Sequence, residues 1–483
     1  MKNIHISVVI HFIGLCLCIE SIFMLLGVSI SFIYHDGAAI SLLESFAITF
    51  LFGIILYFGT NSNKNEKPHI KESFLIVTFS WIFISLFGTL PYLLSHSISN
   101  FADALFETVS GFTTTGSSIL NDIESLPKSI LFWRSETHWI GGMGIIALVV
   151  AVLPSLEISG NHLFSAEGAF FQIEKIHPRL VDVVKRLWII YILLTLSEIL
   201  ILIAAKMDWF DAVCHSFGTI ATGGFSTKNS SLAEYSPAIQ YIVATFMFLA
   251  GTNFILLYLA LKGNFRKVIQ NEEWKTYLFI ILGITLIATY YNYPLYKTIE
   301  SSFRHTLFQV ISILSATGFS TADYEQWVYV AKYLLFFTMF IGACVGSTGG
   351  GIKIARYLIL LKSIRVQLKK AIHPNAIIPM HYNGKLFDEK MLASITSFII
   401  IYFLTFIIGS FFMMIIGLDP QSAFSSTITT LGGIGPGFGS VGPLDNFSSI
   451  PVLGKYYLSF NMILGRLEII SVLSLFRRSF YKI

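Results

Sequence analysis

Four short segments of this 483-residue chain begin on a small residue and close on a glycine at one shared offset. They run from Ala104-Leu105-Phe106 to Thr113-Thr114-Thr115-Gly116 and from Ala212-Val213-Cys214 to Ala221-Thr222-Gly223-Gly224. The other two run from Thr306-Leu307-Phe308 to Ser315-Ala316-Thr317-Gly318 and from Ala423-Phe424-Ser425 to Gly432-Gly433-Ile434-Gly435. The chemistry such strips can offer is that of backbone carbonyl oxygen. A ring of carbonyls can take the place of a cation's hydration shell. Pointing carbonyls inward demands backbone conformations that a Cβ would obstruct, which is a reason for glycine to recur. A helix ending at each strip would turn its negative dipole end toward the same path and favour a cation there.

The elements that position the strips follow from length. Two or three helical turns of apolar residues precede each strip, while crossing a bilayer takes about 20 residues. Each segment therefore reads as a re-entrant loop between two longer apolar runs. Irregular backbone at membrane depth is tolerated where protein buries it or where it lines a water-filled path. The composition agrees. Mean hydropathy is +0.71 and 12% of residues are charged, against about 25% in soluble domains. Polar stretches at 154–185 and 373–390 are too short for a globular domain. Most of the 32 Lys and Arg, such as Lys262, Arg266, Lys267, Lys369, Lys370, Arg477 and Arg478, fall on one side once the spans alternate from an inside N-terminus. That is a topology signal, and it excludes a nucleic-acid footprint. The first apolar run, 6–34, is too long for a signal peptide and reads as a retained span. Cys16, Cys18, Cys214 and Cys344 have no metal-ligand spacing and read as small buried hydrophobes.

The fold class expected is an all-α polytopic membrane protein. A helical hairpin (1–66) precedes four span–pore loop–span repeats (67–158, 159–268, 269–375 and 376–483), arranged with pseudo-fourfold symmetry around one central pore. The second spans are expected at about 130–153, 237–262, 329–370 and 455–478. The third of these carries Gly346-Ser347-Thr348-Gly349-Gly350-Gly351. Each glycine costs a helix about 1 kcal/mol relative to alanine, so the helix breaks there, beneath the strips. The break is either a pathway-lining gate or a packing kink. Lys353, just beyond, either anchors the break or snorkels to the cytoplasm. Arg466 lies inside the last span. It either faces the path and opposes cation flow or pairs with Glu468 or another acid. Glu20 and Glu198, also mid-span, read as packing or salt-link residues. Gly437 to Gly442 fits GxGxxG without a preceding strand, and Gly346 to Lys353 only approximates a nucleotide loop; neither supports nucleotide binding. No residue pattern supports enzyme chemistry.

These motifs resemble the Trk/Ktr/HKT superfamily of potassium transporters, the TrkH branch in particular, over essentially the whole chain. The match is carried by Phe112 with the first strip, by Ala221 to Thr227, by Ser315 to Thr321 and by Gly432 to Gly437, together with the Gly346–Lys353 break and Arg466. Many relatives have Asn where this chain has Gly433. The resemblance implies K⁺ held in a filter made of the four strips, at Thr115, Thr222, Thr317 and Ile434, with Gly346, Gly349, Gly350, Gly351, Lys353 and Arg466 as the gate. It also implies a homodimer in a bacterial inner membrane, a cytoplasmic TrkA-type ring that brings the only regulatory nucleotide, and no covalent cofactor. A second reading, a secondary transporter coupling K⁺ to Na⁺ or H⁺, needs an acid at the ion site, and the strips contain none.

Overall fold

The two N-terminal apolar runs pair as helices Ile6–Tyr34 and Ala39–Gly59. The computed structural model describes residues 4–60, 69–152, 179–387, 389–467 and 469–481. Small residues make the pairing possible. A Cβ on Gly14 or Gly53 would come within 3.0 Å of the opposite helix. Such close backbone approach supplies packing energy in lipid, where no hydrophobic force drives helices together. Asp36 in the connecting turn accepts hydrogen bonds from Ser31 Oγ and, at 2.8 Å, from Ser129 N, tying the hairpin to the first repeat.

Four repeats follow. Their first spans are Ile70–Phe87 with its continuation Leu90–Leu94, then Arg179–Ala204, Glu272–Tyr296 and Glu389–Ile415. Their pore helices are Phe101–Phe112, Trp209–Ile220, Ile299–Leu314 and Pro420–Gly432, of 12, 12, 16 and 13 residues. At 1.5 Å per residue they reach about 18–24 Å, short of the roughly 30 Å hydrocarbon core. The small residue that opens each sequence segment is fully buried: Ala104, Ala212, Thr306 and Ala423 have no accessible surface. A larger side chain there would push the pore helix out of the centre.

The second helices differ from expectation. The first, Lys128–Val152, is continuous. The second turns by 106° between Pro237–Ala250 and Phe254–Leu261. The third stops at Thr338 and resumes as Ile354–Ile372 after a loop closed by a two-residue parallel pairing of Ile341–Gly342 with Ile352–Lys353. The fourth, Val452–Arg466, gives way to the short helix Ile469–Ser474. Among the described residues the second and third of these spans are broken, where one break was expected.

Among the described residues, six helices are long and apolar enough to cross a membrane, or seven if the bent pair counts as one span. Their outward faces expose Ile55, Leu200, Phe279, Leu286 and Ile408, as a lipid-facing surface requires. The chain is a multi-pass membrane protein. Glu20 and Glu198 are buried, and among the described residues neither makes an ion pair. The four cysteines are free thiols. The repeat boundaries near 66 and 158 fall outside the described residues.

Candidate ion pathway

All four pore helices are built alike. At the N-terminus a side chain accepts a backbone amide hydrogen bond: Asn100 from Ala102 N, Asp208 from Phe210 N, Thr298 from Ser301 N and Asp419 from Ser422 N. These caps satisfy amides that would otherwise be orphaned. At the C-terminus the amides of Thr115, Gly223, Thr317 and Ile434 donate to the carbonyls of Ser110, Gly218, Ser312 and Thr429 at 2.7–2.9 Å. This Schellman closure needs a left-handed residue just before the donor. Thr114, Thr222, Ala316 and Gly433 take that conformation, at φ of 53°, 54°, 60° and 65°.

Gly433 thus sits where Gly and Asn are the residues at ease. The nearest atom to its missing Cβ is Gly350 Cα, at 4.0 Å. Backbone conformation alone restricts the position. Gly433→Asn is expected to keep the melting temperature and ion preference of the parent. Gly433→Val is expected to destabilise by about 1–2 kcal/mol, read as a lower melting temperature. Equal melting temperatures for the Asn and Val proteins would contradict this account.

The strips close into a ring. Gly116, Gly224, Gly318 and Gly435 all have positive φ, from 81° to 97°. A Cβ at Gly116 would come within 3.0 Å of the carbonyl oxygen of Gly223. The same holds for Gly224 against Thr317, Gly318 against Ile434, and Gly435 against Thr115. Each repeat therefore lays its glycine against the next repeat's carbonyl, and the fourth meets the first. The residues sharing this level are Thr115, Gly223, Thr317 and Ile434. Thr222 belongs one level lower, with Thr114, Ala316 and Gly433, so the expected set Thr115, Thr222, Thr317 and Ile434 mixes two levels. Glycine occupies the second repeat's place at this level because His138 stands directly behind it. A Cβ on Gly223 would run into the imidazole, which packs on Phe225 with ring centroids 4.1 Å apart.

The glycine-rich segment of the third repeat lies against the inner ends of the pore helices. Thr348 Oγ1 donates to Ile220 O at 3.0 Å. A Cβ on Gly349 would collide with Ser315 O, and one on Gly350 with Gly432 O. Those two glycines are required by close approach to the neighbouring carbonyls. Lys353 Nζ donates to Gly349 O and, at 3.4 Å, to Ser347 Oγ, so it anchors the loop. Arg466 is buried and donates from Nη1 to Thr348 O at 2.9 Å and from Nη2 to Gly141 O at 3.0 Å. It ties the loop to the first and last repeats at once. Glu468, its alternative partner from sequence, lies outside the described residues.

Two parts of this assembly escaped the sequence reading. The bend at Gly251-Thr252-Asn253 receives the loop: Cys344 N donates to Gly251 O and Phe254 N to Gly346 O, both at 3.0 Å. Asn253 caps the following helix through Ile255 N, and Asn before an apolar run is a helix-start signal. Glu273 is the other. Its Oε1 accepts from Val345 N at 2.8 Å and Ala355 N at 3.1 Å, holding both feet of the loop.

With this geometry in place, the similarities are specific. The family profile described as TrkH, cation transport protein, matches residues 40–481. The chain is 37% identical to the Trk system potassium uptake protein TrkH of Salmonella typhimurium, over 99% of this chain and 100% of that protein. The figures for the Escherichia coli K12 protein of the same name are the same. It is 32% identical to the Trk system potassium uptake protein TrkG of Escherichia coli K12, over the full length of both. The crystal structure of the potassium transporter TrkH from Vibrio parahaemolyticus superposes with a TM-score of 0.90 at 32% identity, covering 99% of this chain and 100% of that one.

Proposed function

Since this chain belongs to the TrkH family of cation transport proteins, a transporter family and not an enzyme class, we propose that it takes up K⁺ through a filter of backbone carbonyls. The relatives named potassium uptake proteins support the ion and the direction. The observation that carries the mechanism is the closed cycle of glycine against carbonyl from Gly116 round to Thr115. A dehydrated cation needs several oxygens at once from fixed positions, and four strips in one ring supply them. The ion sites are formed by Thr114 to Gly116, Ala221 to Gly224, Ser315 to Gly318 and Gly433 to Gly435, with K⁺ the transported ion and no covalent cofactor.

The loop at 346–351, held by Lys353 and Arg466, is the gate beneath that filter. In the closed state it occupies the path, and it opens when its ties are released. By analogy with the family, the protein works as a homodimer in the bacterial inner membrane, and a cytoplasmic TrkA-type ring carrying the regulatory nucleotide moves the gate. Coupling of K⁺ to Na⁺ or H⁺ would call for an acidic group at the ion site, and none of the strips has one.

The test is radioactive Rb⁺ uptake into proteoliposomes holding the full chain, with K⁺, Na⁺ and Li⁺ as competitors. K⁺ is expected to suppress Rb⁺ uptake at concentrations where Na⁺ and Li⁺ do not. Equal suppression by all three would refute a K⁺ filter.

A further inference from the structure

Two residues beyond each ring glycine, every strip has a carbonyl that is already engaged. Ser118 O accepts from Phe447 N at 2.8 Å, and Ser320 O from Leu232 N at 3.0 Å. Ser226 O accepts from Arg134 Nη1 at 2.8 Å, and Gly437 O from Tyr324 Oη at 2.8 Å. The donor comes each time from the repeat that precedes the strip in the ring. Arg134, in the first repeat, serves the second strip. Leu232 serves the third, Tyr324 the fourth, and Phe447, after the fourth strip, returns to the first. The order is the one in which ring glycines meet neighbouring carbonyls. A second, outer ring of bonds therefore lies on the side of the filter away from the glycine-rich loop.

Two of the four donors are side chains, and both are locked. Tyr324 is fully buried, and its ring packs edge-on against Phe438, with centroids 5.0 Å apart. Arg134 is buried, its guanidinium carbon 3.6 Å from the centroid of Phe225. Its Nε donates to Glu107 Oε1 at 2.7 Å. Glu107 also accepts from Ser118 Oγ and Ile119 N, both at 2.9 Å. One buried ion pair thus joins the exit of the first strip to the exit of the second. A buried pair of this kind is weak evidence for stability, but with both Glu107 oxygens and two of the guanidinium nitrogens engaged it fixes geometry.

We infer that Arg134 and Tyr324 are positioning residues of the filter. They set ion preference by pinning the outer carbonyl of the neighbouring strip, which limits how far the ring carbonyls can move toward a smaller ion. The collar rests on the K⁺-filter reading above. Neither residue touches the ion.

Tyr324→Phe removes one hydroxyl from a site that keeps its ring, and Arg134→Lys keeps the charge but not the fork. Both are measured as full-length protein in liposomes, by Rb⁺ uptake against Na⁺ and K⁺, together with melting temperature. The Na⁺ excess needed to halve Rb⁺ uptake is expected to fall by about threefold to tenfold, the span of one ordinary hydrogen bond. Uncompeted uptake is expected to persist. A variant that loses melting temperature but keeps the parent's ratio has lost only structural support, and that result overturns the collar. So does a well-folded Tyr324→Phe protein with an unmoved ratio beside a selective parent. If the parent itself does not prefer K⁺ to Na⁺, the filter reading fails first.

Discussion

Gly116→Ser is expected to cut the preference for K⁺ over Na⁺ by about tenfold or more, the equivalent of roughly 1.4 kcal/mol. Two effects combine. The backbone at Gly116 has φ of 81°, which non-glycine residues reach only with strain of about 1–2 kcal/mol. The added Cβ also falls within 3.0 Å of Gly223 O, a backbone atom that can yield only by moving a second strip. The displaced carbonyl belongs to the same level as Thr115, Thr317 and Ile434, so the whole ring loses its spacing. Gly283→Ala serves as the control. Gly283 lies in the helix Glu272–Tyr296 with no atom within 4 Å of its missing Cβ. Alanine there is expected to stabilise by about 1 kcal/mol and leave ion preference alone. Unchanged competition by Na⁺ in a folded Gly116→Ser protein would remove the ring from the pathway.

Arg466→Gln is expected to raise basal flux by about one to two orders of magnitude. At an effective dielectric of about 20, two unit charges about 6 Å apart repel by roughly 3 kcal/mol, close to a hundredfold in rate before screening. The same side chain also restrains the loop through Thr348 O while bracing on Gly141 O. Arg466→Lys separates the two contributions, because it keeps the charge and loses the two-armed grip. A pure charge barrier leaves the Lys protein as slow as the parent, and a tether makes it leak. The geometry favours an intermediate Lys protein. Flux in Arg466→Gln equal to the parent's, with only the melting temperature lowered, would reduce Arg466 to a structural brace.

What the sequence disclosed was local. The pore helices were legible because a small first residue, apolar turns and a terminal glycine recur within a dozen or so residues. Each of these is a near-neighbour effect. The level of Thr222 was misplaced because a threonine in the second strip matches Thr115 and Thr317 by side chain. Carbonyl height follows backbone register, in which Gly223 is their equal. The bend at Gly251 was hidden because the apolar run continues on both sides of it, and its cause is the loop, some 90 residues further on, that packs into it. Arg466 could be flagged as a buried charge, but its partners are carbonyls 118 and 325 residues away in the chain. Backbone acceptors have no signature in a sequence, so no pairing rule among side chains could have found them.

The four strips differ from one another, and they lie in one chain. In a pore assembled from four identical subunits, a single codon change alters every quadrant together, and intermediate states are unavailable. Here one change touches one quadrant. Thr115, Gly223, Thr317 and Ile434 share a level yet are encoded separately, and Gly223 can stand opposite His138 while the other three positions carry larger side chains. A substitution can therefore adjust this ring one quarter at a time, leaving the other three strips as they are.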